Sequence, residues 1–265
     1  MKFLLVTDLD NTLIGDDQAT IALIKKLTPI RQNLSLVYAT GRSLVSYNSL
    51  CQEFRLRTGQ SLLVPDYLVT SVGSEIYSGV YSETDRENTL VQAWTRDQDW
   101  ANHISIDWER QAIATLASAT AELLAQSEIE QNEWKLSYLL NSKHNFAIIQ
   151  NLKQKLNQAG LKAQVIFSSD QDLDILPKKS GKGKAVTYLR EKLGIAANRT
   201  LVCGDSGNDV AMFEQMTLGV IVKNSQQELL DWHQLHSYPN HYVSQRDCAW
   251  GILEAIAHFQ IHLFA

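Results

Sequence analysis

The chain has 265 residues, 45% hydrophobic and 20% charged, which is enough to bury a core unaided and excludes a disordered, collagenous or coiled-coil protein. With 24 Lys+Arg against 29 Asp+Glu the net charge is −5, so no basic face for nucleic acid is expected. Cys51, Cys203 and Cys248 form no C-x-x-C pair and read as reduced thiols of a cytoplasmic protein, and no apolar run is long enough for a signal peptide or a membrane span.

In chain order, residues 3–7 form a short apolar run that stops at Asp8. Ile21, Ile24 and Leu27 predict a helix after an Asp16-Asp17 cap, residues 34–39 a second strand, 43–54 a helix and 67–70 a third strand. Strand alternating with helix implies a parallel sheet with crossover helices. Residues 82–102 read as polar and irregular. Ile113, Leu116, Ala117, Thr120 and Leu124 then fall on one helical face. Trp134, Leu136, Tyr138 and Leu140 alternate with Lys135, Ser137 and Leu139 in a strand expected to be half exposed. A helix over Phe146, Ile149, Leu152 and Leu156, ended by Gly160, and a strand through Ala163, Val165 and Phe167 complete a small α+β unit. In the tail the α/β alternation resumes, with helix 184–193, strand 200–203, helix 209–215, strand 219–222, helix 226–233 and helix 249–259. The expected architecture is a doubly wound, mainly parallel α/β core over 1–80 and 172–265, interrupted by an α+β insertion over 81–171.

Three predicted strands end in polar tips: Asp8-Leu9-Asp10-Asn11-Thr12, Thr40-Gly41-Arg42 and Gly204-Asp205-Ser206-Gly207-Asn208-Asp209. Ligand sites of open parallel sheets lie beyond the carboxyl ends of the strands, so the three tips are expected to converge. Alternation carried one step past the first strand puts Asp8 and Asp10 on one side, where two carboxylates need a cation or a shared proton. With Asp205 and Asp209 they make an all-oxygen donor set suited to Mg²⁺, and no His/Cys cluster points to zinc. A carboxylate can attack phosphorus, and the phosphoryl group in flight needs a hydroxyl, amides and a cation around it. Thr40 and Gly41 supply the first two, and one of Lys178, Lys179, Lys182 and Lys184 the third. Cys203, at the end of an apolar strand, reads as a core residue. Trp94, Trp100 and Trp108 read as packing residues, and His258 with His262 as a surface pair.

The strings DLDNT, ATGR, a lysine heading K-G-x-A and GDSGND, in this order, resemble the four motifs of the haloacid-dehalogenase-like phosphatases with a large α/β cap. The resemblance implies Asp8 as nucleophile, Asp10 as general acid/base, Thr40 and Lys182 as phosphate-binding catalytic residues, and Asp205 as a Mg²⁺ ligand supported by Asn208 and Asp209. The further strings VGSEIY, EWKLSY, QVIFSS and LDILP resemble the sucrose-phosphate phosphatases. That implies hydrolysis of sucrose 6-phosphate, the last step of sucrose biosynthesis, with Arg42, Ser74 and Glu75 lining a sugar site from the core and Lys135 and Ser137 from the cap. It also implies a monomer with sucrose-phosphate synthase as a partner. Glucosylglycerol phosphate and mannosyl-phosphoglycerate are the alternative substrates, and a receiver domain or a non-catalytic docking module is disfavoured by the complete motif set.

Overall fold

The computed structural model describes residues 2–82, 91–236 and 238–261. The elements run β1 (Phe3–Thr7), α1 (Asp17–Leu27), β2 (Leu34–Ala39), α2 (Leu44–Thr58), β3 (Tyr67–Thr70), β4 (Glu75–Ser82), β5 (Val91–Arg96), α3 (Gln98–Ser105) and α4 (Arg110–Ser118). They continue with β6 (Leu124–Ala125), β7 (Leu136–Leu139), α5 (Asn145–Gln158), β8 (Ala163–Ser168), β9 (Asp172–Pro177), α6 (Lys182–Lys192) and β10 (Thr200–Gly204). The last are α7 (Val210–Phe213), β11 (Leu218–Ile221), α8 (Gln227–His236), β12 (His241–Val243) and α9 (Cys248–His258).

One sheet has eight strands in the order β12-β11-β10-β1-β2-β3-β4-β5. Pairing is parallel from β12 to β3 and antiparallel from β3 to β5. Its central strands are buried on both faces because helices cover both, as a parallel sheet requires. The alternation shows this directly. Leu5, Leu36 and Tyr38 pack with α1, α2 and α9, whereas Leu4, Val6 and Val37 pack with α3, α6 and α7. The α1 and α2 starts obey local chemistry: Asp16 accepts from the Ala19 N–H and Ser43 from the Ser46 N–H. A second sheet, β6-β7-β9-β8, is wholly antiparallel and shares a core with α4 and α5.

Sheet membership divides the chain differently from the expected boundaries at 81 and 172. β4 and β5 belong to the large sheet, and Trp100, Ala101 and Ile104 of α3 pack in its core. β9 is an inner strand of the small sheet. The polar reading of 82–102 fails because β5 is an edge strand, whose side chains need not alternate, and α3 buries a single turn; residues 83–90 lie outside the described residues. The expected helical face through Leu124 also breaks. α4 ends at Ser118, and Leu124 stands 65% exposed in β6. His262, half of the expected surface pair, lies outside the described residues. Cys203 is fully buried in the core. Among the described residues no helix is long and apolar enough to cross a membrane.

Candidate active site

The three polar tips do meet. Asp8 is the first residue past β1, and its N–H still donates to the Cys203 carbonyl of β10 at 3.0 Å. Asp205 is the first residue past β10, and Thr40 the first past β2. Because these strands are parallel neighbours, their carboxyl ends lie side by side. One carboxylate oxygen each of Asp8, Asp205 and Asp209 lie within 4.8 Å of one another, all three residues buried.

Lys182, at the first turn of α6, is the lysine that reaches this group. Its Nζ lies 2.8 Å from Asp8 Oδ1 and 2.7 Å from Asp209 Oδ1. Such an approach depends on Gly183, where a Cβ would stand 1.9 Å from the Ala211 carbonyl oxygen, so only glycine lets α6 lie against α7. Asp209 Oδ2 accepts from the Asp205 and Ser206 N–H groups, so Asp209 fastens the loop that carries Asp205. Lys184 is exposed, and Lys179 instead faces Asp107 at 3.7 Å.

Three carboxylates against one lysine leave two negative charges in a buried site, which a divalent cation balances. Burial above all, then Asp209 and Asp8, pushes the Asp205 carboxyl up to about 9. Burial pushes Asp8 up to about 7 although Lys182 pulls it down. For Lys182 burial acts against the charge, but the Asp209 and Asp8 carboxylates outweigh it and hold the ammonium above its ordinary range. Thr12 donates to Asp205 Oδ1 at 3.0 Å, while Asp205 Oδ2 is buried without a hydrogen-bond partner. A buried orphan carboxylate oxygen is costly unless something binds it. These all-oxygen donors fit a hard divalent cation.

A cation must displace protons from this site, and both raised carboxyls lie at or above neutrality. Cation affinity is therefore expected to rise as pH increases from about 6 to about 9. Calorimetry in buffers of different ionisation enthalpy should report proton release on binding. Cation affinity independent of pH would contradict the shared-proton state. In the cation-free protein the raised carboxyls bind more protons folded than unfolded, so stability falls over the same rise in pH.

Asp10, the fourth expected metal ligand, is not in the cluster. After Asp8 the chain turns, with Leu13 N–H donating to Leu9 O and Asn11 at φ 56, so strand alternation does not carry on to Asp10. Both its oxygens instead accept from Arg42, at 2.7 Å from Nε and 2.8 Å from Nη2. Thr40 is buried, and its Oγ1 accepts from the Arg42 N–H, shaping the turn that aims this arginine.

Above the cluster lies a cleft of ≈ 360 Å³, within the range of small-molecule sites. Asp8, Asp10, Gly41, Arg42 and Asn208 line it from the large sheet, and Lys135 and Ser137 from β7 and the residue before it. The expected solvent face of that strand is therefore buried. Lys135 is 3% exposed and Ser137 1%, because the small sheet lies over the cleft. Lys135 Nζ reaches the Gly41 carbonyl at 3.4 Å and Asp174 at 3.4 Å, and Ser137 Oγ donates to Asp174 Oδ1 at 2.6 Å. Ser74 and Glu75, expected in the sugar site, do not line the cleft. They clasp the small unit instead, both accepting from Asn132 Nδ2, at 3.0 and 3.2 Å. Ser74 is wholly buried beneath the turn Ser71–Gly73.

The family model described as sucrose-6F-phosphate phosphohydrolase matches residues 1–260. The chain belongs to this family. Its fold is shared with a sucrose-phosphatase from Synechocystis solved in complex with sucrose and phosphate: 43% identity, TM-score 0.86, 98% of this chain and 99% of that one. Sucrose-phosphatase 2 of Nicotiana tabacum is 35% identical over 97% of this chain, but the chain spans only 59% of that relative's length. A mannosylfructose-phosphate phosphatase of Agrobacterium fabrum is 32% identical, with 98% of this chain and 97% of the relative covered. A haloacid dehalogenase-like hydrolase from Bacillus subtilis, 20% identical at TM-score 0.67, shares the fold.

Several cleft residues of this family member are not picked out as site candidates from the sequence. Asp172 and Asp174 alternate with the buried Leu173 and Ile175, so reading β9 as a strand would have put both on the face opposite the core. Gln126 and Glu130 line the cleft from irregular chain between β6 and β7, where no periodicity exists to read.

Proposed function

We propose that the chain is a Mg²⁺-dependent phosphoric monoester hydrolase that converts sucrose 6-phosphate to sucrose and phosphate through an aspartyl-phosphate on Asp8. The observation that carries this is the buried Asp8–Lys182–Asp209–Asp205 cluster beneath a polar cleft. Lys182 holds Asp8 Oδ1, leaving the second oxygen to attack phosphorus. As the P–O bond to the sugar breaks, Asp10 passes a proton to the leaving oxygen. A water then attacks the aspartyl-phosphate, its proton going back to Asp10, and Asp8 is regenerated with release of phosphate. Asp10 can do this only after the incoming ester draws Arg42 off at least one of its oxygens. Asp8, Asp205 and Asp209 would hold the cation, which would offset the negative charge gathered around the phosphoryl group. Thr40, Gly41 and Asn208 flank the phosphate.

In this reading the small unit is a cap that selects the sugar and excludes water, using Lys135, Ser137 and Arg42. Sugar hydroxyls need fixed polar partners, and Lys135 and Ser137 are buried and cross-linked through Asp174 before substrate arrives, while Arg42 is held by Asp10. The sucrose and phosphate held by the Synechocystis structure support this choice of substrate. The chain then acts as a cytoplasmic monomer, supplied by a sucrose-phosphate synthase. The test is Mg²⁺-dependent phosphate release from sucrose 6-phosphate, mannosylfructose phosphate, glucosylglycerol phosphate and mannosyl-phosphoglycerate. The sucrose ester is expected to have the highest kcat/KM. A higher value on mannosylfructose phosphate would replace the substrate, and no release from any ester would end the proposal.

A further inference from the structure

The hairpin between β8 and β9 carries Ser168 and Ser169 into the wall of the cleft. Ser169 and Asp170 both have left-handed backbone, φ 55 and 57. That conformation is uncommon and unfavourable for residues with a Cβ. Here the hairpin turn requires it, with the Gln171 N–H donating to the Ser168 carbonyl at 3.3 Å, and the tip it forms also makes contacts across the cleft. Gln226 Nε2 donates to Ser169 Oγ at 3.3 Å, and Glu228 Oε1 accepts from the Ser169 N–H at 3.4 Å.

The same two residues hold the loop that carries the cation-binding carboxylates. The Gln226 N–H donates to the Asp205 carbonyl at 2.8 Å, and Glu228 Oε1 also accepts from the Gly207 N–H at 2.6 Å. A Cβ at Gly207 would stand 2.7 Å from that oxygen, so glycine lets the loop approach it without displacing the Glu228 carboxylate. Each residue thus has one contact on the tip of the small unit and one on the Asp205 loop. Gln226 also lines the cleft, but neither residue bonds to Asp8 or Lys182, whose hydrogen bonds run to each other and to Asp209.

We propose that Gln226 and Glu228 are positioning residues that couple seating of the Ser169 tip to the geometry of the Asp205–Asp209 loop. Closure over substrate then sets the Asp205 carboxylate for the reaction. This rests on the phosphatase reading.

The test uses the full chain with Mg²⁺ and pairs kinetics with hydrogen exchange. Two substrates are compared: sucrose 6-phosphate, and p-nitrophenyl phosphate, which offers no sugar for the small unit to hold. Gln226→Ala loses only the side-chain tie to Ser169. It is expected to lower kcat/KM for sucrose 6-phosphate about five- to tenfold relative to p-nitrophenyl phosphate, the size of one lost hydrogen bond. Glu228→Ala is expected to lower kcat about tenfold on both substrates and to raise the Mg²⁺ concentration for half-maximal rate. Glu228→Gln keeps a carbonyl acceptor and should recover most of that loss. In the wild type, sucrose with inorganic phosphate should slow exchange at amides 168–170 and 205–209 together, and Glu228→Ala should abolish the slowing at 168–170. Equal losses on both substrates in Gln226→Ala, or unaltered slowing at 168–170 in Glu228→Ala, overturn the coupling. Failure of the phosphatase reading is distinguishable: the wild type would not turn over sucrose 6-phosphate, while coupled exchange could still be read with phosphate and Mg²⁺ alone.

Discussion

Asp8→Asn is expected to cut phosphate release from sucrose 6-phosphate by roughly 10⁴-fold or more, the scale of losing a covalent nucleophile. The amide keeps the shape of the carboxylate, and its oxygen can still accept from Lys182, which lies 2.8 Å from Asp8 Oδ1. It cannot attack phosphorus. The substitution also removes one of three mutually repelling buried acids, so the cation-free protein should not unfold more readily. Loss of turnover without loss of stability is therefore the expected pair of results, read by phosphate release and by thermal unfolding. Appreciable turnover in the variant would remove Asp8 from its role. A collapse in stability would recast it as a structural residue.

Lys182→Met is expected to damage both stability and rate. The lysine is buried and bridges Asp8 and Asp209 at 2.8 and 2.7 Å, so its removal leaves carboxylates facing each other without compensation. Breaking a buried pair in this way typically costs about 3–5 kcal/mol. The cost should depend on pH with a definite sign. Near pH 6 the raised carboxyls of Asp8 and Asp205 take up protons and relieve the repulsion, whereas near pH 9 they are more ionised and the loss is larger. Mg²⁺ should restore part of the stability by supplying the missing positive charge. The rate should still fall about 10²- to 10³-fold, because no fixed cation meets the charge developing on the phosphoryl group. Denaturant unfolding at both pH values, with and without Mg²⁺, checks the first expectation and kcat the second. A small, pH-independent loss would show that Lys182 is not the counter-charge of this cluster.

Motif strings locate the reacting groups well. Each of the three tips follows a strand buried on both faces, and a strand that stops at an acid leaves a sharp mark in the sequence. Asp8 and Asp205 are legible for that reason, whereas Lys182 is picked out from four lysines only by the family resemblance, and the structure gathers Asp8, Asp205 and Asp209, two of them bonded to that lysine. The side chain of Asp10 lies outside the carboxylate cluster because a turn takes over where alternation is extended past the last strand residue. Ser74 and Glu75 are legible as special but not in their role. Only the position of Asn132, 57 or more residues away in sequence, shows that they fasten the two units.

Sheet membership near the expected boundaries of the inserted unit is hard to read through the same weakness. β5 is an edge strand, and β9 alternates two acids with apolar residues, so neither resembles the uniformly apolar runs of the central sheet. Lys135 and Ser137 show the limit most clearly, since only the family resemblance, and not the strand pattern, puts them at the sugar site. A strand with polar residues on one side reads as half exposed whether that side meets water or a polar cleft. The chain alone determines which residues could do phosphoryl chemistry and that they gather at one sheet edge, because strand ends and acid spacing are local properties. The tertiary structure alone decides that Asp10 pairs with Arg42, that Lys135 and Ser137 are buried over the site, and that Gln226 and Glu228 tie the tip to the Asp205 loop. The first depends on the β1 and β2 tips lying side by side, the others on where the two sheets dock, and both are set by contacts between residues far apart in the chain.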